Sequence, residues 1–462
     1  MKFSVREISF FERDVRLRMP FRFGVVTLTS APQAFVRARI LLQNEKESEG
    51  AAAELLAPKW FDKDPELSNE QNFDQLRASL ALAREVYLGG GENTAFGHFI
   101  ENHAPQIALG AKRDLNSLTA CYGPALVDRA LLDALCRALG VSFYEAIRRN
   151  IPQITAYRME FDIDDFLQQL QPAARIAARH TVGLVDPIAS QDRKTPVNDG
   201  LPETLEEVVA RYGHRWFKLK VGGDVKADVE RLTAIASVLD RIDEPYRATL
   251  DGNEQFADAG EILQLLNRIK AEPRLKRLVS SVLFIEQPIK RQNALTGDVS
   301  PLAKEKPVII DESDDSLEAF PRARQLGYTG VSSKTCKGIY KSLLNAARCR
   351  LWNREKGAER YFMSGEDLTI QPGLALQQDL ALVSLLGLTH VERNGHHYVN
   401  GMKGLPEAEQ AGFLDSHEDL YERSHGAVRP RIRDGSMEIK SLDCPGFASR
   451  AMPDWQAMRR TG

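Results

Sequence analysis

The chain lacks what would mark it for a membrane, for nucleic acid or for an oxidising compartment. No apolar run approaches the roughly 18 to 20 residues that cross a bilayer. The stretch Met1 to Met19 is dotted with charge rather than built as a signal sequence, so a cytoplasmic location is expected. Lysine and arginine number 61 against 64 aspartates and glutamates, a formal net charge of -3, which leaves no basic footprint for nucleic acid or an anionic membrane. The cysteines Cys121, Cys136, Cys336, Cys349 and Cys444 are odd in number, with no close pair of a metal or redox kind, and read as reduced thiols that pack. There is no internal repeat and no low-complexity segment. What is present, 462 residues of which 43% are hydrophobic and 27% charged, suits a large globular domain with a smaller second one and a small-molecule partner; self-association is left open.

The sequence is organised around Arg215 to Val221, Arg-Trp-Phe-Lys-Leu-Lys-Val, which reads as a strand. Side chains alternate across a strand, so Lys218 and Lys220 share a face with Trp216 while Phe217, Leu219 and Val221 take the other. Alone, that is a half-exposed strand with a solvated lysine face. Downstream, however, similar units recur with an ionisable residue at the same place. Tyr246 to Asp251, Val282 to Glu286, Pro307 to Asp311 and Gly330 to Lys334 each end on one. Helical patterns lie between them, as in Val225, Val229, Leu232, Ala236 and Leu239. Strand and helix in alternation imply a parallel sheet, and this many units a closed barrel whose chemistry sits at the carboxyl ends of its strands. Lys218, Lys220, Asp251, Glu286, Asp311 and Lys334 then converge on one mouth, with Cys336 two residues beyond the last.

Outside this region the pattern changes. Phe3 to Phe11 and Ala34 to Leu42 alternate as antiparallel strands and flank a loop from Met19 that carries Phe21 and Phe23. Those aromatics belong either to local core or to a surface that a ligand covers. Gly50 to Lys59, with Glu54, reads as a second loop, and Asn69 to Tyr87 and Leu126 to Leu139 as helices, the last stopped by Gly140. These make an α+β domain over residues 1–150, to which the Gly- and Pro-rich segment 400–462 returns. The barrel then occupies 151–399, with its first strand at Ile154 to Met159 and a helix at Ile163 to His180. An insertion at 183–202, rich in Gly, Pro, Asp and Asn, is either a lid or a surface excursion. Later elements are a helix Gly338 to Gly357, a strand Arg360 to Gly365, a helix Gly373 to Leu386 and a strand Thr389 to Arg393. His396 and His397 are expected in a solvated turn.

Taken in order, Lys218-Leu-Lys220, Asp251-Gly-Asn253, Glu286-Gln-Pro288, Asp311-Glu-Ser313 and Lys334 resemble the enolase superfamily, in its muconate lactonizing subgroup. The helix Val127 to Gly140 is similar to the one that closes that family's capping domain. The resemblance implies a modified TIM barrel, (β/α)7β, under an N-terminal α+β cap. It implies Mg2+ held by Asp251, Glu286 and Asp311, and acids so close together would repel unless a cation sat among them. It implies proton abstraction α to a carboxylate of a small-molecule substrate, through an enediolate. Lys220 and Lys334 would act as acid/base on opposite faces and Lys218 as an electrostatic helper, a lysine base requiring a lowered pKa. Phe21, Phe23, Asn253, Glu366 and Glu392 are candidate substrate contacts, with Arg393 beside the last.

The outcome implied is racemisation or epimerisation, cycloisomerisation, or elimination. Two alternatives stand beside it, an acid-sugar dehydratase of the same superfamily and a non-catalytic barrel. The mandelate racemase pattern of a sixth-strand aspartate and seventh-strand histidine is not matched, since Lys334 and Met363-Ser-Gly-Glu-Asp367 stand there. The eighth-strand Asp-x-Asp of dipeptide epimerases is replaced by His390-Val-Glu-Arg393.

Overall fold

The computed structural model describes residues 1–24 and 26–462, so that Val25, in the aromatic stretch, lies outside the described residues. Three strands open the chain: β1 (Phe3–Phe23), β2 (Val26–Leu42) and β3 (Glu47–Leu55), all antiparallel. Apolar residues of β2 and β3 pack on the helix Tyr122–Leu139, while Phe11 and Phe35 pack on Trp455. That helix stops where Gly140 takes φ +69, a left-handed turn that glycine adopts without strain. A second helix, Asn69–Leu88, starts from a capping box in which Ser68 and Gln71 satisfy each other's backbone N–H groups.

Eight parallel strands form the barrel: β4 (Arg175–Val182), β5 (Trp216–Lys220), β6 (Arg247–Asp251), β7 (Val282–Glu286), β8 (Val308–Ile310), β9 (Gly330–Ser333), β10 (Phe362–Gly365) and β11 (His390–Arg393). Each pairs with the next, and β11 pairs with β4 to close the ring. Helical crossovers join all eight; a single turn, Gly395–Tyr398, comes directly after β11, and the helix Glu407–Ser416 lies beyond it in the C-terminal segment. The fold is (β/α)7β with a separate antiparallel N-terminal sheet, as the sequence indicates.

Three local expectations are corrected. The first barrel strand is not Ile154 to Met159, which is a turn with Tyr157 at φ 35 and Arg158 at φ 61. The helix expected to reach His180 ends at Gln168, and β4 follows it. Inside the barrel β4 carries polar Arg179 and Thr181, and His180 interrupts the apolar Ile176, Ala178 and Val182 of its other face, so the alternation is weak. The two early loops are also strand. The stretch from Met19 extends β1 and β2 into a long ribbon in which Phe21 pairs with Leu28, and Gly50 to Leu55 belongs to β3.

The C-terminal segment runs over both parts. A hairpin, β12 (Tyr421–Ser424) with β13 (Ala427–Pro430), precedes β14 (Ser436–Glu438), which pairs with β4 of the barrel. Finally β15 (Arg459–Thr461) pairs with β1 of the N-terminal sheet. One apolar cluster contains both Phe3 and Leu126 of the cap and Leu343 and Leu380 of the barrel helices, so the two parts share a core. Among the described residues no helix is long and apolar enough to cross a membrane.

Candidate active site

The register of the parallel strands sets the site. Lys220 stands beside Asp251, and Asp251 beside Glu286, so the ends of β5, β6 and β7 present their charged residues side by side. Asp311 follows β8 directly, and Lys334 follows β9. All are buried. The structure thus brings together Lys218, Lys220, Asp251, Glu286, Asp311 and Lys334.

Lys218 is at the centre. Its ammonium lies 2.9 Å from Asp251, 2.7 Å from Glu286, and 2.8 Å from each of Glu366 and Glu392. Burial alone would push its pKa down, but these four carboxylates outweigh burial and hold it well above the ordinary lysine value. Lys334 is likewise raised: burial opposes the charge and the paired Asp311 more than restores it. A lysine base needs the opposite shift, and the reason for the difference is that the acids face the lysines directly. Lys220 sits 2.6 Å from Asp251.

The carboxylates divide accordingly. Burial raises Asp251 and Asp311, yet Lys218 and Lys220 on the first, and Lys334 and Lys337 on the second, bring both below the usual carboxylate range. Glu286 goes the other way, well above that range, through burial and then the charges of Asp251 and Glu366. Lys218 donates to its Oε1 at 2.9 Å and lies 2.7 Å from Oε2, which is buried and has no other partner. A buried carboxylate oxygen with a free lone pair, among hard oxygen donors, fits Mg2+ and does not fit a soft metal. Asp251, Glu286 and Asp311 are the residues that would hold it.

Above these charges lies a small, mainly apolar pocket. Phe21 and Phe23 line it from the ribbon, Trp60 from the segment after β3, and Lys218, Lys220 and Lys334 from the barrel. Asn253 and Glu392 line it too, while Glu366 does not; it sits deeper, paired with Arg179 and Lys218. Asn253 donates its backbone N–H to Asp251 at 2.8 Å and its side-chain amide to Glu312 at 3.2 Å. Phe21 stacks on Tyr398, with ring centres 4.2 Å apart. Cys336 is buried in the apolar core and does not line the pocket. Arg393 is held by Asp379 and, at 3.6 Å, by Asp367. The insertion at 183–202 does not line the pocket but braces the ribbon, Arg18 of β1 pairing with Asp199 at 2.6 Å and Arg22 O accepting from Leu184 N at 3.2 Å. His396 and His397 are buried, against the expectation of a solvated turn; Tyr212 covers the first and Arg18 bonds the backbone of the second.

Several residues of the site escaped the sequence reading. Trp60 places its ring 4.4 Å from the Lys334 ammonium, a cation–π contact. Lys63 reaches from the cap to Glu254 at 2.5 Å and Glu312 at 3.2 Å. Arg179 and Thr181 bond Glu366 and Glu392 from β4. Period-two alternation along Arg175 to Val182 is the signal that would have found the last pair; nothing local marks the first two.

A closed parallel barrel with lysines on its second and sixth strands, acids ending the third to fifth, and a cap over the mouth is the class that fold and site define. Residues 200–381 match the family model described as enolase C-terminal domain-like. No curated protein matches the sequence. Among solved structures, a muconate lactonizing enzyme from Pseudomonas fluorescens complexed with muconolactone is similar at 17% identity, covering 99% of each chain with a TM-score of 0.61. The L-Ala-D/L-Glu epimerase from Bacillus subtilis is similar at 15% identity over 97% of this chain and 99% of that one, TM-score 0.59. An enolase superfamily member from Roseovarius nubinhibens complexed with magnesium is similar at 16% identity over 100% and 99%, TM-score 0.54. The resemblance to the enolase superfamily thus rests on sequence over residues 200–381 and on fold across the whole chain.

Proposed function

We propose that the protein is a Mg2+-dependent enzyme of isomerase or lyase type that removes the proton α to a carboxylate of a small molecule, through an enediolate. The observation that carries this reading is the position of Lys220 and Lys334. They come from strands opposite each other in the eight-membered ring, and both line one buried pocket. The like-folded muconate lactonizing enzyme and epimerase support the choice of reaction type.

Mg2+, when bound, supplies positive charge for the substrate carboxylate and takes up the acid charge that otherwise keeps Lys218 and Lys334 protonated. Lys220 holds or accepts the proton on one face of the α-carbon and Lys334 on the other, so action by both inverts the centre. Action by one alone leaves cyclisation or elimination, the other lysine stabilising charge. Lys218 faces the carboxylate as a fixed cation. Phe21, Phe23 and Trp60 exclude water, and Asn253 and Glu392 offer polar contacts to the rest of the substrate.

Deuterium exchange tests this. Candidate carboxylates incubated with enzyme and Mg2+ in heavy water should gain α-deuterium by mass. With a racemisable substrate, Lys220→Ala should lose exchange for one enantiomer, Lys334→Ala for the other, and Lys218→Ala should slow both. Each variant must melt cooperatively and bind Mg2+. If folded Lys220→Ala and Lys334→Ala both exchange like the wild type, the two-lysine mechanism is wrong.

A further inference from the structure

Outside the barrel wall a second cluster of side chains has no part in that chemistry. Arg179 and Thr181 of β4 turn inward to Glu366 and Glu392, so alternation turns His180, between them, to the outer face. There it meets His214, from the segment leading into β5, and His396, from the turn after β11. The three are 1%, 0% and 9% exposed. One ligand nitrogen of each lies within 4.8 Å of those of the other two, and His180 Nδ1 stands 3.1 Å from His396 Nε2.

The hydrogen bonds show which lone pairs are free. His214 Nδ1 lies 2.9 Å from the carbonyl oxygen of Ala178, which can only accept, so Nδ1 carries the proton and Nε2 the lone pair. That Nε2 is buried without a partner, whereas His180 Nδ1 and His396 Nε2 share one proton between them, so an ion bound by both requires the histidine that carries that proton to take it on its other ring nitrogen. A buried lone pair left unmatched, such as that on His214 Nε2, is a free-energy cost that a bound cation removes. Burial pushes all three imidazoles below their ordinary pKa, His214 to about 4, so they stay neutral, the form that binds metal. The nearby cations are neutralised: Arg18 by Asp199 at 2.6 Å, and Arg393 by Asp379 and Asp367.

We propose that His180, His214 and His396 bind a divalent transition-metal ion, with Zn2+ the best match, at a site separate from the acids of the barrel mouth. Three neutral imidazoles suit Zn2+ and are poor ligands for Mg2+. Nitrogens at about 2.0–2.1 Å around a tetrahedral ion stand roughly 3.3 Å apart. His180 and His396 already have nearly that spacing, and His214 has at most about 1.5 Å to close. The Ala178 carbonyl orients His214 as outer-shell acceptors orient metal-binding imidazoles. The fourth position falls to water or to His397, whose ring centre is 5.0 Å from that of His180 and whose Nδ1 is also unpartnered. Because β4 and β11 are the strands that close the ring, an ion here ties the barrel seam to the lead-in of β5.

The test uses the whole chain, stripped of metal by a chelator and returned to excess Mg2+ so that any oxygen site is filled. Zn2+ should then bind at one equivalent per chain and raise the melting temperature. Co2+ in its place should give the intense visible bands of a tetrahedral nitrogen site rather than the faint ones of an octahedral oxygen site. His396→Ala should lose both the stoichiometric binding and the bands while melting like the metal-free wild type. His214→Asn, which keeps a donor for Ala178, is the second variant and should do the same; Glu286→Ala should retain both. The proposal is overturned if the wild type binds no stoichiometric Zn2+, if both histidine variants keep the bands, or if Glu286→Ala loses them.

Discussion

The Lys218 ammonium lies 2.7 Å from Oε2 of Glu286, a contact that takes up at most one lone pair of that buried oxygen and leaves the other free. A divalent ion can use that lone pair, and Lys218 retains Glu366 and Glu392 as partners when it moves aside. Mg2+ at a hundred times its dissociation constant should therefore stabilise the fold by about 2.7 kcal/mol. Calorimetric melting with and without Mg2+ checks it. Glu286→Ala should lose the shift, and a wild type that melts identically in both conditions would rule the site out.

The Arg18 and Asp199 pair ties the ribbon to the insertion by two parallel bonds, each 2.6 Å. Arg18 also donates to the carbonyl oxygens of Pro202 and His397, so loss of Asp199 weakens the junction without freeing Arg18 completely. Asp199→Ala should cost about 2 kcal/mol and speed proteolytic cutting between 183 and 202. Unchanged cutting would mean that the insertion is held by its other contacts alone.

The lysine strand was legible because one face of Arg215 to Val221 is apolar and the other is not, and that contrast survives without knowledge of the fold. The strand-ending acids were legible for the same reason. By contrast β4 hid because Arg179 and Thr181 face a charged barrel interior and His180 breaks the apolar face of Ile176, Ala178 and Val182, which leaves only a weak alternation. Trp60 and Lys63 act at the site only because the cap sets them over the mouth, a long-range placement that no local pattern carries. His396 and His397, just beyond the last strand, read as a solvated turn, but Tyr212 and Arg18, distant in sequence, cover them.

Gly50 is a glycine for steric reasons. A Cβ there would stand 2.2 Å from Ala134 N and 2.3 Å from Ala130 O, both backbone atoms of the helix that packs on β3. Neither atom can swing away as a side chain would. Gly50→Ala should push helix and sheet apart and cost about 1–3 kcal/mol or more, read as a lowered denaturation midpoint. A variant as stable as the wild type would show that the helix can shift freely over β3.

Asp128, inside the helix Tyr122–Leu139, makes stability depend on pH. Burial pushes its carboxyl from 3.8 up to about 8, even though Tyr87 donates a hydrogen bond to it at 2.7 Å. Between those values the folded protein keeps a proton that the unfolded chain has released. The folded state binds more protons there, so the contribution of Asp128 to stability falls as pH rises, by up to about 1.4 kcal/mol per pH unit, and levels off above the folded pKa. Asn has nearly the same shape, accepts the Tyr87 hydroxyl and does not titrate. Denaturant unfolding of wild type and Asp128→Asn from pH 5 to pH 8 should therefore give curves that diverge with rising pH, the variant gaining steadily. Equal slopes across that range would mean that Asp128 is ionised in the folded protein as readily as in the unfolded chain, and the buried neutral carboxyl would have to be abandoned.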